Sequence, residues 1–217
     1  MPSSPVHNRR ADARRSRAAI LDAALRVLDA RPDASLETIA GAAGVTRQTV
    51  YAHFPSRERL LLAVADRITE EVAAVMDAAD PHTGPAADAL LRLLDAAGRA
   101  ARRHPALLRQ ISTLLVGPQA DRDRHTPIAD RISAVLRRGR QTGEFDDRLP
   151  LDWLVAVTIG LAHTAGEEQD TGRLSAPEAE HALRTSVLRV LGAATGEGAL
   201  PGPGGHRAGE PRERPEE

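Results

Sequence analysis

Between residues 46 and 57 the chain sets out Thr46, Arg47, Gln48, Thr49, Tyr51, His53 and Arg57, broken by the apolar Val50 and Phe54. Val50 and Phe54 stand four apart, so on a helix they share one face and the polar residues share the other. An arginine and a glutamine side by side at the leading end of such a helix can do one specific kind of chemistry. A guanidinium bridges O6 and N7 of guanine, and a carboxamide pairs with N6 and N7 of adenine. Thr46, Thr49, Tyr51, His53 and Arg57 have shorter or more peripheral reach and suit phosphate oxygens, which fix register without reading sequence. Thr38, one helix earlier, suits the same role.

A helix over 47–53 buries too little to stand alone, so other elements must brace it. Before it, Ser35 is placed to cap a short helix over 36–43 whose inner face holds Ile39 and Ala43. Gly44 lets the chain turn at positive φ, Val45 plugs the turn, and Thr46 caps the second helix. Earlier still, Ile20, Ala24, Val27 and Leu28 line a helix from about Arg15 to Ala30, stopped by Arg31-Pro32. After it, Ser56 starts a long helix to about Ala79 with Val64, Ile68, Val72 and Met76 inward. Phe54 belongs to the core of this unit.

The 217 residues are 41 % hydrophobic with four aromatics, and Ala and Leu dominate, which favours an all-α fold. All 29 basic residues are arginine and the net charge is −1, so bulk electrostatics select no partner. The first 55 residues carry eight arginines against five acids. Without cysteine there is no disulfide or zinc–thiolate site, and neither a secretory segment nor a membrane span is visible, so a cytoplasmic protein is expected.

About nine helices are expected in four parts. Residues 1–13 read as a flexible basic arm, and 14–60 as a three-helix helix-turn-helix domain that binds DNA. Residues 61–195 form a helical body, and 196–217, rich in Gly, Pro, Glu and Arg, a disordered tail. The basic junction of Arg9, Arg10, Arg14, Arg15 and Arg17 is compatible with a solvated terminus and with a place near phosphates. Within the body, helices are expected over 86–103, from Pro105 with Leu107, Leu108, Ile111, Leu114 and Leu115 inward, over 128–141, over 151–165 and over 177–191. Residues 119–126 read as a polar, mobile connection, and the arginines near Arg137 as a solvated face. The segment 151–165 is apolar nearly all round and includes Ala156 and Gly160. With Leu151, Leu154, Leu183, Val187 and Val190 it points to a four-helix interface between two copies of the chain.

No Gly-rich phosphate loop, spaced metal ligands or His-activated nucleophile is present, so no catalytic residue, metal or cofactor is expected. Glu167-Glu168 near His163 and His181 is more simply a solvated helix end than a metal site.

The run AAILDAALRVLDARPDASLETIAGAAGVTRQTVYAHFPSRERLLLAVAD, residues 18–66, resembles the N-terminal domain of TetR-type bacterial transcriptional regulators. It covers under a quarter of the chain; beyond it only the layout of helices agrees. Arg57 stands where the family usually has Lys, and Gln48 where it often has Gly. The resemblance implies that Tyr51, His53 and Arg57 touch the DNA backbone. It also implies a ligand-responsive repressor: a homodimer on a palindromic double-stranded operator, released by a small-molecule effector. The effector would lie among the body helices, where His104, Gln110, Thr113, Trp153, Thr158 and His163 are the polar or aromatic candidates. So few aromatics weigh against a site specialised for flat cations. An effector-independent regulator or activator, and more remotely a helical enzyme or metal protein, are the alternatives.

Overall fold

The computed structural model describes residues 5–114 and 117–193. Among these residues there are nine helices and no strand: α1 (Pro5–Ala30), α2 (Leu36–Ala42), α3 (Arg47–His53), α4 (Arg57–Asp77), α5 (Ala86–Ala101), α6 (Pro105–Ser112), α7 (Pro118–Gln141), α8 (Leu151–Asp170) and α9 (Ala176–Val190). None is long and apolar enough to cross a membrane. Leu115 and the expected tail lie outside the described residues.

The caps follow the sequence. Ser35, Thr46 and Ser56 each accept a hydrogen bond from the backbone N–H three residues on, at the starts of α2, α3 and α4. The end of α2 closes with paired bonds, from Val45 N–H to Ala40 O and from Gly44 N–H to Gly41 O. Gly44 takes φ +67°, a conformation that costs a Cβ-bearing residue more.

One continuous core joins the N-terminal unit of α1 to α3, the head, with the helices that follow, the body. In the head it holds Ile20, Leu28, Ile39, Val50 and Phe54; in the body, Leu90, Leu93, Leu107, Ile132, Leu136 and Leu154. The spine is α4, which packs against α1, α5, α6 and α7. It buries Leu60, Leu61, Val64, Ile68, Val72 and Met76, more than one stripe, because it is covered on several sides. α8 packs on α7 and α9, and Arg184 of α9 pairs with Asp95 of α5 at 3.2 Å. Burial pushes the Asp95 carboxyl up against the pull of that arginine.

Three boundaries differ from expectation. Residues 5–13, read as a flexible arm, are the first turns of α1, which starts at Pro5 rather than near Arg15. Proline fits a first helical position, Ala and Arg are good helix formers, and the packed half of α1 is a ready template for propagation. Residues 119–126, read as a mobile connection, are helical, and α7 runs through Pro127. Local bonds compensate: Gln119 to Asp123, Arg122 to Gln119, and Arg124 across to Asp66 on α4 at 3.0 Å. α8 continues past Ala165 to Asp170, so Glu167 and Glu168 lie inside it, and Glu168 pairs with Arg173 beyond its end.

Candidate nucleic-acid interface

α3 is locked from behind and open in front. Val50 is fully buried and Phe54 is 3 % exposed, each contributing about 1.5–3 kcal/mol of burial. Arg47 and Gln48 are exposed at the leading turn, and Tyr51 follows at 40 % exposure. The Arg47 guanidinium lies 5.4 Å from the centroid of the Tyr51 ring, with Nη2 3.4 Å from the Tyr51 hydroxyl. A surface contact of this length is weak, so Arg47 can leave the ring for a base edge. The hydroxyls of Thr46 and Thr49 are 2.8 Å apart at the cap, and half-buried His53 sits beside Phe54. Thr38 pairs with the Ser35 hydroxyl at 3.1 Å at the start of α2.

Arg57, expected as a phosphate clamp, is also engaged within the chain. Nη1 donates to the carbonyl of Ala34 and Nη2 to that of Pro32, so two arms of its fork brace the α1–α2 loop from the head of α4. The same Pro32 carbonyl accepts from Gln110 Nε2 at 3.1 Å. A groove of about 660 Å³ opens here, with Ser35, Glu37, Arg47, Tyr51, Ser56 and Gln110 on its walls.

The six effector candidates do not gather around one space. Gln110 lines that groove on the head. His104, ahead of α6, sits between Asp29 at 3.6 Å and Glu71 at 4.0 Å. Thr113 is exposed and donates to Gln110 O at 2.7 Å. Thr158 is buried and donates to Leu154 O at 2.8 Å, so its hydroxyl is satisfied within α8. Trp153 is 58 % exposed on the outside of the body. His163 meets His125 of α7 edge to face, centroids 5.1 Å apart. Partial burial of an imidazole that still reaches the surface, and then the neighbouring His125, hold His163 below its ordinary range. A smaller groove of about 250 Å³ between α4 and α5 is lined by none of the six.

The residues expected at a subunit interface divide in two. Ala156 and Gly160 are exposed on α8, Val190 is 37 % exposed on α9, and Leu151 and Leu183 are half-buried. Leu154 and Val187, each 1 % exposed, belong to the chain's own core, because α8 and α9 turn those faces inward. Exposed Trp153 joins the outward stripe that they do not reach.

The arginines of α7 are mostly structural. Arg131 pairs with Asp77 of α4 and holds that carboxyl below the usual carboxylate range, Arg138 reaches Gly84 O, and Arg140 reaches Leu149 O. Among the described residues no group of three or more His, Asp or Glu is placed to hold a metal ion. Sequence reasoning missed the Gln110–Pro32 bond, since the two residues lie 78 positions apart. The contact of the Arg17 guanidinium with Phe54, 5.4 Å from the ring centre and 37 positions along, is likewise not visible in the sequence.

Known proteins resemble this chain in sequence and in fold. Residues 20–64 match the family described as bacterial regulatory proteins, tetR family. The repressor LfrR of Mycolicibacterium smegmatis is 46 % identical over 81 residues, which is 37 % of this chain and 43 % of that protein. TtgW of Pseudomonas putida, an uncharacterised HTH-type regulator, is 50 % identical over 56 residues, 25 % of this chain and 42 % of that protein. The alignments thus span less than half the length of these curated relatives. In three dimensions LfrR from Mycobacterium smegmatis, solved with proflavine, matches with TM-score 0.55 and 30 % identity over 80 % of this chain and 94 % of that one. RolR, solved with resorcinol, shares the fold at TM-score 0.69 and 22 % identity, over 86 % of this chain and 92 % of that one. With its helix-turn-helix head and all-helical body, the chain belongs to the TetR family of bacterial regulatory proteins, a family of transcriptional regulators rather than enzymes.

Proposed function

We propose that the chain is a ligand-responsive repressor that binds a palindromic or nearly palindromic operator as a homodimer in the cytoplasm. The observation that carries the reading is the leading turn of α3, where Arg47 and Gln48 are exposed while Val50 and Phe54 hold the helix from behind. In this reading Arg47 and Gln48 read base edges, while Thr38, Thr46, Thr49, Tyr51 and His53 hold phosphates. Arg57 sets the angle of the head and offers its remaining donors. The head covers residues 14–60 and the body residues 61–195.

The exposed stripe of Trp153, Ala156 and Gly160, with Val190, supports pairing through α8 and α9. Small residues there let two α8 helices approach closely. A two-fold dimer puts its recognition helices about 34–36 Å apart, in successive major grooves, or further apart on a longer site. A small molecule releases such a dimer by binding better to a head spacing that DNA does not accept. The complex of LfrR with proflavine supports a ligand role for a body of this shape. Proflavine, a flat cation, is not carried over. Phe54 and Tyr51 belong to the head, Phe145 packs on Gly139 and Trp153 faces outward, so no aromatic cage is available.

An effector-independent regulator is the second reading, favoured by the dispersal of the six candidate effector residues. Selection of bound sequences from a random duplex pool tests the main proposal. Two inverted half-sites are expected; enrichment of no sequence, or of a single unrepeated half-site, would sink it.

A further inference from the structure

α1 overhangs the head. From Arg10 to Ala18 only Ala11 and Ser16 are even half-covered, and the first fully buried side chain is Ile20. At about 1.5 Å per residue the stretch from Pro5 to Ile20 reaches roughly 22 Å. Residues 5–17 hold five arginines and one acid, Asp12, and that acid is paired with Arg15. Arg10, Arg14 and Arg17 follow at the i, i+4, i+7 spacing of one helix face. Arg10 and Arg14 are both exposed on that face. Arg17 lies over the ring of Phe54, the residue that caps the end of α3. The stripe therefore starts beside the recognition helix and leads away from it. Like charges one turn apart repel, and a run of closely spaced anions on a rigid backbone removes that cost.

We infer that the overhang of α1 is a second nucleic-acid surface: Arg10 and Arg14 lie along the phosphates that flank the half-site read by α3, with Arg17 setting the direction. The inference rests on the proposal that α3 enters DNA, and adds affinity and footprint without sequence preference. The arginines touch no base edge, so their effect is the same on every duplex.

The test uses the full chain and the duplex recovered by selection. Arg10→Gln/Arg14→Gln should weaken binding to selected and shuffled duplexes by the same factor. The dependence of log affinity on log salt should become shallower by about 0.9 for each phosphate no longer neutralised, so about 3–4 for a dimer. Hydroxyl-radical protection should vanish outside the half-sites and persist within them. Arg10→Lys/Arg14→Lys should keep the slope, since a point charge suffices for phosphate. Glutamine is a good helix former, and unchanged far-UV dichroism certifies the fold. An unchanged slope and footprint in the glutamine variant, with wild type binding normally, overturns the inference and leaves the reading of α3 standing. Failure of the wild type to bind any duplex overturns both.

Discussion

Gln110 Nε2 donates to the carbonyl of Pro32 at 3.1 Å, tying α6 of the body to the loop that leads into α2 of the head. The carbonyl has two lone pairs, and Arg57 takes the other. α6 is therefore tied to the head directly as well as through α4. Gln110→Leu should speed amide exchange at Ala34, Ser35 and Leu36 and cost about 0.5–1.5 kcal/mol of stability. Unaltered exchange there would show that the bond does not order the loop.

Arg57 should behave as a brace. Arg57→Ala leaves the Ala34 carbonyl without this donor and the Pro32 carbonyl with Gln110 alone, and should lower stability by about 1–2 kcal/mol, allowing for partial exposure. Lysine should restore little, because one ammonium does not span two carbonyls as a planar fork does. Urea denaturation without DNA decides the matter: a purely phosphate-binding arginine would leave the midpoint where it was.

Replacing Arg47 or Gln48 should relax sequence preference by about 5- to 150-fold for each bidentate base pairing removed. Tyr51→Ala should instead weaken all duplexes alike. Both are read by competition between selected and shuffled duplexes at fixed salt. Intact preference after both changes at the leading turn would reverse the roles.

Two glycines in the body should respond in opposite ways. A Cβ at Gly139 would sit 2.1 Å from the Phe145 ring, so Gly139→Ala should destabilise by about 1–3 kcal/mol despite better helix propensity. Gly160 faces open space, with nothing within 4 Å of an added Cβ. Gly160→Leu should leave the single chain folded and block close approach of a partner α8, giving a monomer by light scattering. A dimer of wild-type strength would place the interface elsewhere.

His163 should make the protein modestly acid-sensitive, since its side chain is still partly open to water. Its folded pKa lies below the ordinary value of 6.5, so the unfolded chain binds the proton more readily. Stability is therefore held above that value and lost as pH falls from it toward the folded pKa. The denaturation midpoint of wild type should drop more between pH 7.5 and 5.5 than that of His163→Gln. Equal drops would show that the imidazole is not held neutral.

Much of the head was legible in the chain. Ser35, Gly44, Thr46 and Ser56 act within a few residues of themselves, so capping and turn chemistry place α2, α3 and α4 without knowledge of the fold. The outward set on α3 follows from Val50 and Phe54 facing in, because a helix has only one opposite side. What the chain concealed depends on partners far along it. That Leu154 and Val187 face their own core rather than a second subunit was settled by how α7, α8 and α9 pack, and apolar residues on every side of α8 carry no such mark. Arg57 and Gln110 look like free polar side chains until the α1–α2 loop is set beside them. Local hydrogen bonds and periodicity are written in short stretches of sequence; which surface is covered, and which donor is already taken, is decided only when distant helices meet.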